Sequence, residues 1–257
     1  MSTTTTCWRA LVWTTLVLSA AGPVSPVSAA ESLEDVARYV AYVEQAKGHL
    51  LASREVFRRG QAVRARVHAG HPMQEIGYRL WRPVGRVDAE LGRRVQAAVK
   101  APGEALAPDV DGQRYEATIQ RALEALDRAV AAVVPARFAD DPRLHARVMR
   151  DLLLAIEEEY GEAIAQGRVV LEIEYQDAWG FFQRLHALWS RVRPALVRAA
   201  PVVDEQMAVL ASALSRIDTP SAPVDVERVN AALARARQAL GDLTNGPGSA
   251  DAPRARR

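Results

Sequence analysis

The stretch YEATIQRALEALDRAVAAV, residues 115–133, decides the fold class. Ile119, Leu123, Leu126, Val130 and Val133 recur in it at alternating spacings of four and three, the seam that lets antiparallel helices interlock at shallow angles. Downstream, Pro135 ends this helix and Asp140 or Asp141 caps the next at Pro142, with an apolar stripe Leu144, Val148, Leu152, Ile156 and Tyr160 running to the Gly167 break. Arg168 to Tyr175 alternates like a strand and reads as an extended lead into the helical stripe Tyr175, Trp179, Phe182, His186 and Trp189. Val203 to Ile217 and Val226 to Leu240 give two further helices. Upstream, Ser32 caps a helix whose apolar positions Val36, Val40, Val43, Leu50 and Phe57 lead to Gly60, and Gln61 to Ala69 makes a short second helix. Pro72 suits a first helical position, Met73 to Arg82 and Val84 to Lys100 are helical, and two prolines and two glycines in residues 101–112 mark a loop. The expected fold is all-α, an antiparallel bundle of about seven helices with no strand pair. The loop suggests an N-terminal helical subdomain over 31–100 and a C-terminal bundle over 113–243, followed by a disordered tail over 244–257.

Composition sets limits around that fold. The 257 residues are 49% hydrophobic and 25% charged, which places the chain among core-forming proteins. Thirty-three basic against 31 acidic residues leave a net charge of +2, too balanced a field for nucleic acid as a partner. Residues 1–30 combine one charge, Arg9, with the apolar run Ala10 to Ala21 and the small-residue end Val27-Ser28-Ala29-Ala30, the three parts of an export signal. That apolar run is shorter than the roughly 20 residues a bilayer span needs. Cleavage near Ala29 or Ala30 would remove the only cysteine, Cys7, and leave a thiol-free periplasmic protein with no transmembrane segment.

No Cys-x-x-Cys, Gly-x-Ser-x-Gly, phosphate-cradling glycine loop or His-Glu-x-x-His motif is present, so the sequence supports no conventional enzyme. Two clusters remain as candidates for chemistry. His68 and His71 are three apart and Glu75 lies four beyond, a spacing that on one helix aims imidazole and carboxylate groups at a common cation. The competing reading starts a helix at Pro72, which makes His71 an N-cap and Gln74 the residue that reaches back. His49, on the first helix of the same hairpin, could face His68. The second cluster is Glu157, Glu158, Glu159, Tyr160, Glu162, Glu172, Glu174, Tyr175 and Asp177, hard oxygen donors of the kind that build metal centres between bundle helices. A solvated helix face is the plain alternative for Glu157 and Glu158, and a packed core histidine for His145 and His186.

Residues 152–170, LLLAIEEEYGEAIAQGRVV, followed by Glu174-Tyr175-Gln176-Asp177 and Phe181-Phe182, resemble the periplasmic helical extension that precedes the membrane part of many bacterial high-affinity iron permeases. Glu159-Tyr160, Ala163, Gly167, Val169, Glu174-Tyr175 and Phe181 match that pattern in order over about thirty residues, while the permease's own Arg-Glu-Gly-type membrane signature is absent. The resemblance implies Glu159, Tyr160, Glu174 and Tyr175 as metal ligands. His49, His68, His71 and Glu75 form the independently read set. The expected function is a non-enzymatic, exported helical protein that binds iron or another transition metal as an accessory to uptake, with a membrane permease or another periplasmic protein as partner. A helical protein-protein interaction module without ligand chemistry is the alternative.

Overall fold

Local sequence chemistry places the helix starts. A computed structural model describes residues 32–106, 110–220 and 223–245. α1 (Leu33–Arg58) begins where the Ser32 hydroxyl oxygen accepts the Asp35 backbone N–H at 3.1 Å, and the same hydroxyl donates to the Asp35 carboxylate. After Gly60, at φ 76°, come α2 (Ala62–Gln74), α3 (Gly77–Val87) and α4 (Ala89–Ala105), the last capped by Asp88. α5 (Gly112–Val133) is capped by Asp111, the one-turn α6 (Ala136–Ala139) follows, and Asp141 caps α7 (Pro142–Ala163). α8 (Glu172–Val192) runs into a 3₁₀ turn at Arg193–Ala195 before α9 (Ala200–Ala213) and α10 (Val226–Asn245).

The all-α reading holds, with three local differences. Ten helices, not about seven, occupy the described residues, the short α2, α3 and one-turn α6 among them. Ile164–Ala165 (β1) pairs antiparallel with Arg168–Val169 (β2), a strand pair that the pattern did not announce. Gln166 and Gly167, both at positive φ, form its two-residue turn, as the right-handed twist of a tight hairpin requires. Finally, Pro72, Pro83 and Pro102 lie inside helices instead of opening or ending them. Each proline removes one intrahelical hydrogen bond, and packing on neighbouring helices offsets that cost.

Two apolar clusters form the interior. One gathers Leu50, Val56, Leu80, Tyr115, Ile119 and Leu126 from α1, α3 and α5. The other gathers Leu152, Ile156, Phe181, Leu185, Val203 and Leu233 from α7 to α10, together with Val36, Ala37 and Ala41 from the start of α1. α1 therefore serves both, lying against α2 and α5 on one side and α7 and α8 on the other. α5 packs on α4 and α1, within the first cluster. Its buried stripe is Tyr115, Ile119, Ala122, Leu126, Ala129 and Val133, so the expected Leu123 and Val130 sit at the edge of the seam and alanines fill their turns. His186, expected to be packed, is exposed. Among the described residues no helix is long and apolar enough to cross a membrane. The segment read as an export signal and the tail from residue 246 lie outside the described residues.

Candidate metal centre

α1 and α8 cross at Gly48 and Gly180. A Cβ at position 180 would lie 2.4 Å from the Gly48 carbonyl oxygen, so only glycine permits this approach. The approach sets His49, on α1, beside Asp177, one turn before Gly180 on α8, with the His49 Nδ1–H donating to Asp177 Oδ1 at 2.7 Å. α2 brings the rest. Because that helix continues through Pro72, His68, His71 and Glu75 share one face, and the expectation that His71 caps a new helix is overturned.

Asp177 is the hub. Its Oδ1 also accepts from His68 Nδ1 at 2.9 Å, and its Oδ2 accepts from His71 Nδ1 at 2.8 Å. Glu75 closes the ring, 3.2 Å from His49 Nε2 and 3.3 Å from His71 Nδ1, while His68 Nε2 meets the Gln176 side-chain oxygen at 2.7 Å. The side chains of His49, His68 and Asp177 are 1%, 0% and 0% exposed, and Glu75 at 44% marks the route to solvent. Burial this deep is tolerated for a carboxylate only with opposite charge and hydrogen bonds around it. Burial works against charge on His49, but the adjacent Asp177 and Glu75 outweigh it and raise its pKa to about 10. His71 is raised in the same way, against burial, by its bond to Asp177. Burial pushes the Asp177 carboxyl up, yet the facing His49 and His68 hold it well below the usual carboxylate range.

The second sequence cluster meets the first at this carboxylate. Oxygens of Glu159 (α7) and Glu174 (α8) lie with an Asp177 oxygen in a group spanning no more than 4.8 Å. Burial, then the charges of Asp177, Glu174 and Glu75, push Glu159 up to about 9, with His49 opposing. Glu75, Glu159 and Glu174 line a cleft of about 590 Å³, walled further by Asp151, Glu158 and Glu162 and by Arg38 and Arg79.

Six of the eight sequence candidates thus converge: His49, His68, His71, Glu75, Glu159 and Glu174. Tyr160 and Tyr175 do not join them. Each follows a glutamate, so the helix turns it roughly 100° away, into a separate cleft shared with Ser212, Arg216, Asp225 and Arg228. The Tyr175 hydroxyl donates to the Ala213 carbonyl at 3.0 Å, and burial raises both phenols to about 12. Glu157 pairs with Arg237 and Glu158 is exposed, as the solvated-face reading expects. Asp177, the hub, belongs to the second sequence cluster but not to the ligands that the resemblance implies. What marks it is a carboxylate four before Phe181 on a helix that buries Tyr175, Ala178 and Phe181, a position a core accepts only with partners.

Such a set of imidazole and carboxylate donors from α1, α2, α7 and α8, free of sulfur, suits ferrous iron, manganese or zinc over soft cuprous copper. Three of its members belong to a recognisable segment. Residues 135–246 match the iron permease-associated 4-helix bundle domain. The match takes in α6 to α10, a little under half of the chain, and includes Glu159, Glu174 and Asp177. His49, His68, His71 and Glu75 precede it, so the cluster straddles the boundary of the matched domain. No curated protein and no solved structure matches the chain.

Proposed function

We propose that this is an exported, non-enzymatic protein that binds iron at the His49, His68, His71, Glu75, Asp177, Glu159 and Glu174 cluster and serves as an accessory to a membrane iron permease. The observation that carries the reading is the convergence of three imidazoles and four carboxylates from four separate helices beneath an acidic cleft. Acidic side chains lining the cleft draw a cation in, and the buried histidines complete its coordination. The match to an iron permease-associated bundle supports iron as cargo and a permease as partner. In the metal-free state protons on His49 and Glu159 stand in for the missing positive charge.

The deciding experiment strips the purified protein with a chelator and adds ferrous iron under anaerobic conditions. Bound iron and a higher melting temperature are expected, since a ligand that prefers the folded state stabilises it. A protein that stays empty, with an unmoved melting curve, refutes the reading.

A further inference from the structure

The cluster holds more ligand than one ion uses. A transition-metal ion of this class takes about four to six ligand atoms, whereas seven side chains with imidazole or carboxylate donors meet here. Six of the seven fall into two triads with no member in common, His49–His71–Glu75 and Glu159–Glu174–Asp177, and in each triad the ligand atoms lie within 4.8 Å of one another. A third group of the same compactness, His68–His71–Asp177, takes one member from each triad and joins them. Asp177 stands at the junction. One of its oxygens faces His49 and the other His71, while the same carboxylate belongs to the oxygen triad. Glu159 and Glu174 make no hydrogen bond or ion pair with other described residues, so their oxygens are uncommitted.

Charge leads to the same count. Metal binding requires deprotonated carboxylates and neutral imidazoles, which leaves Glu75, Glu159, Glu174 and the buried Asp177 with four negative charges close together. A single divalent ion would leave two of these charges repelling each other at short range. Two divalent ions balance all four.

The geometry points to a dinuclear centre, with one cation on His49, His71 and Glu75, a second on Glu159 and Glu174, and Asp177 bridging the two; this rests on the metal-binding function proposed above. The two positions differ in kind. The first is a nitrogen-rich site at the α1–α2 junction, and the second is an all-oxygen site at the floor of the cleft.

The test is the ferrous iron stoichiometry of the chelator-stripped full chain, by anaerobic equilibrium dialysis and elemental analysis. Two equivalents are expected for the unaltered protein. The double variant Glu159→Gln, Glu174→Gln, isosteric and in the cleft lining, is expected to keep one, and His49→Ala, His71→Ala is expected to keep the other. Circular dichroism on each variant confirms retained helix content, and the glutamine pair carries the test if the histidine variant fails to fold. Saturation of the unaltered protein at one equivalent overturns the dinuclear centre and leaves the proposed function standing. No bound iron at all overturns both. Two equivalents that persist in the glutamine double variant overturn the assignment of the second cation.

Discussion

Gly180→Ala tests whether the helix crossing builds the metal centre. The new Cβ would lie 2.4 Å from the Gly48 carbonyl oxygen and 3.4 Å from the Ala52 Cβ, and ordinary contact begins at 3.4 Å. α1 and α8 must therefore separate by about 1 Å at this point, because both colliding groups are anchored to backbone. A shift of that size stretches the 2.7 Å bond between His49 and Asp177 to roughly 3.7 Å, beyond hydrogen-bond reach. Overpacking costs about 1–3 kcal/mol, and losing a charged hydrogen bond adds about 1.5–3 kcal/mol. At roughly 2–4 °C per kcal/mol for a chain of this size, the melting temperature of the metal-free protein falls by roughly 5–24 °C. Iron binding weakens in step, since His49 no longer faces its partners. Thermal unfolding followed by circular dichroism reads the first effect, and iron titration reads the second. Gly161→Ala is the control: a Cβ there meets nothing within 4 Å on the exposed side of α7, so helix propensity alone stabilises it by about 0.5–1 kcal/mol. A Gly180→Ala protein that melts and binds iron like its parent would show that the close approach does not position the site.

Other expectations follow from the electrostatics. Asp177→Asn leaves three buried imidazoles without their counter-charge; about 3–5 kcal/mol of stability is lost, and the His49 pKa drops from about 10, which an NMR titration would follow. Iron affinity climbs as pH rises toward 9–10, because each bound ion must displace the protons that His49, at about 10, and Glu159, at about 9, hold at neutrality; a flat affinity across pH 6–9 by calorimetry contradicts this. Metal-free stability runs the opposite way. The folded-state pKa of His49 is raised from 6.5 and that of Glu159 from 4.5, so the native state binds more protons and loses stability as pH climbs from about 4.5 through 10, visible as a falling urea midpoint. Tyr160→Phe and Tyr175→Phe leave iron binding unchanged, while Tyr175→Phe costs about 1 kcal/mol through its lost bond to the Ala213 carbonyl.

Much of the architecture was legible because local chemistry and tertiary demand agree along it. The caps Ser32 and Asp141, the seam of α7 and Ile119, Leu126 and Val133 of α5 are written in spacing that packing then uses. Prolines misled the reading where the two disagree: Pro72 looks like a helix start, but neighbouring helices hold α2 continuous across it, and that continuity is what aligns His68 and His71 with Glu75. The candidate residues were legible by type and by helical spacing within α2, whereas their meeting depends on Gly48 and Gly180 lying opposite each other, a contact between positions 132 residues apart that no periodicity records. The resemblance pairs each tyrosine with Glu159 or Glu174 as a ligand, but a helix separates adjacent residues onto different faces.

The sharing of α1 between both apolar clusters bears on the order in which the chain can fold. α1 spans residues 33–58, but half of what covers it is supplied by α7 and α8, which begin at residues 142 and 172. As the chain emerges N-terminus first, α1 can dock α2 at once, yet its other flank stays bare for about a hundred further residues, on the order of 5–20 s at typical rates of synthesis. Val36, Ala37 and Ala41 are among the side chains left uncovered during that wait. A helix near the start of the chain is therefore not fully covered until α8 has been made, and during that interval its bare apolar flank is exposed to aggregation.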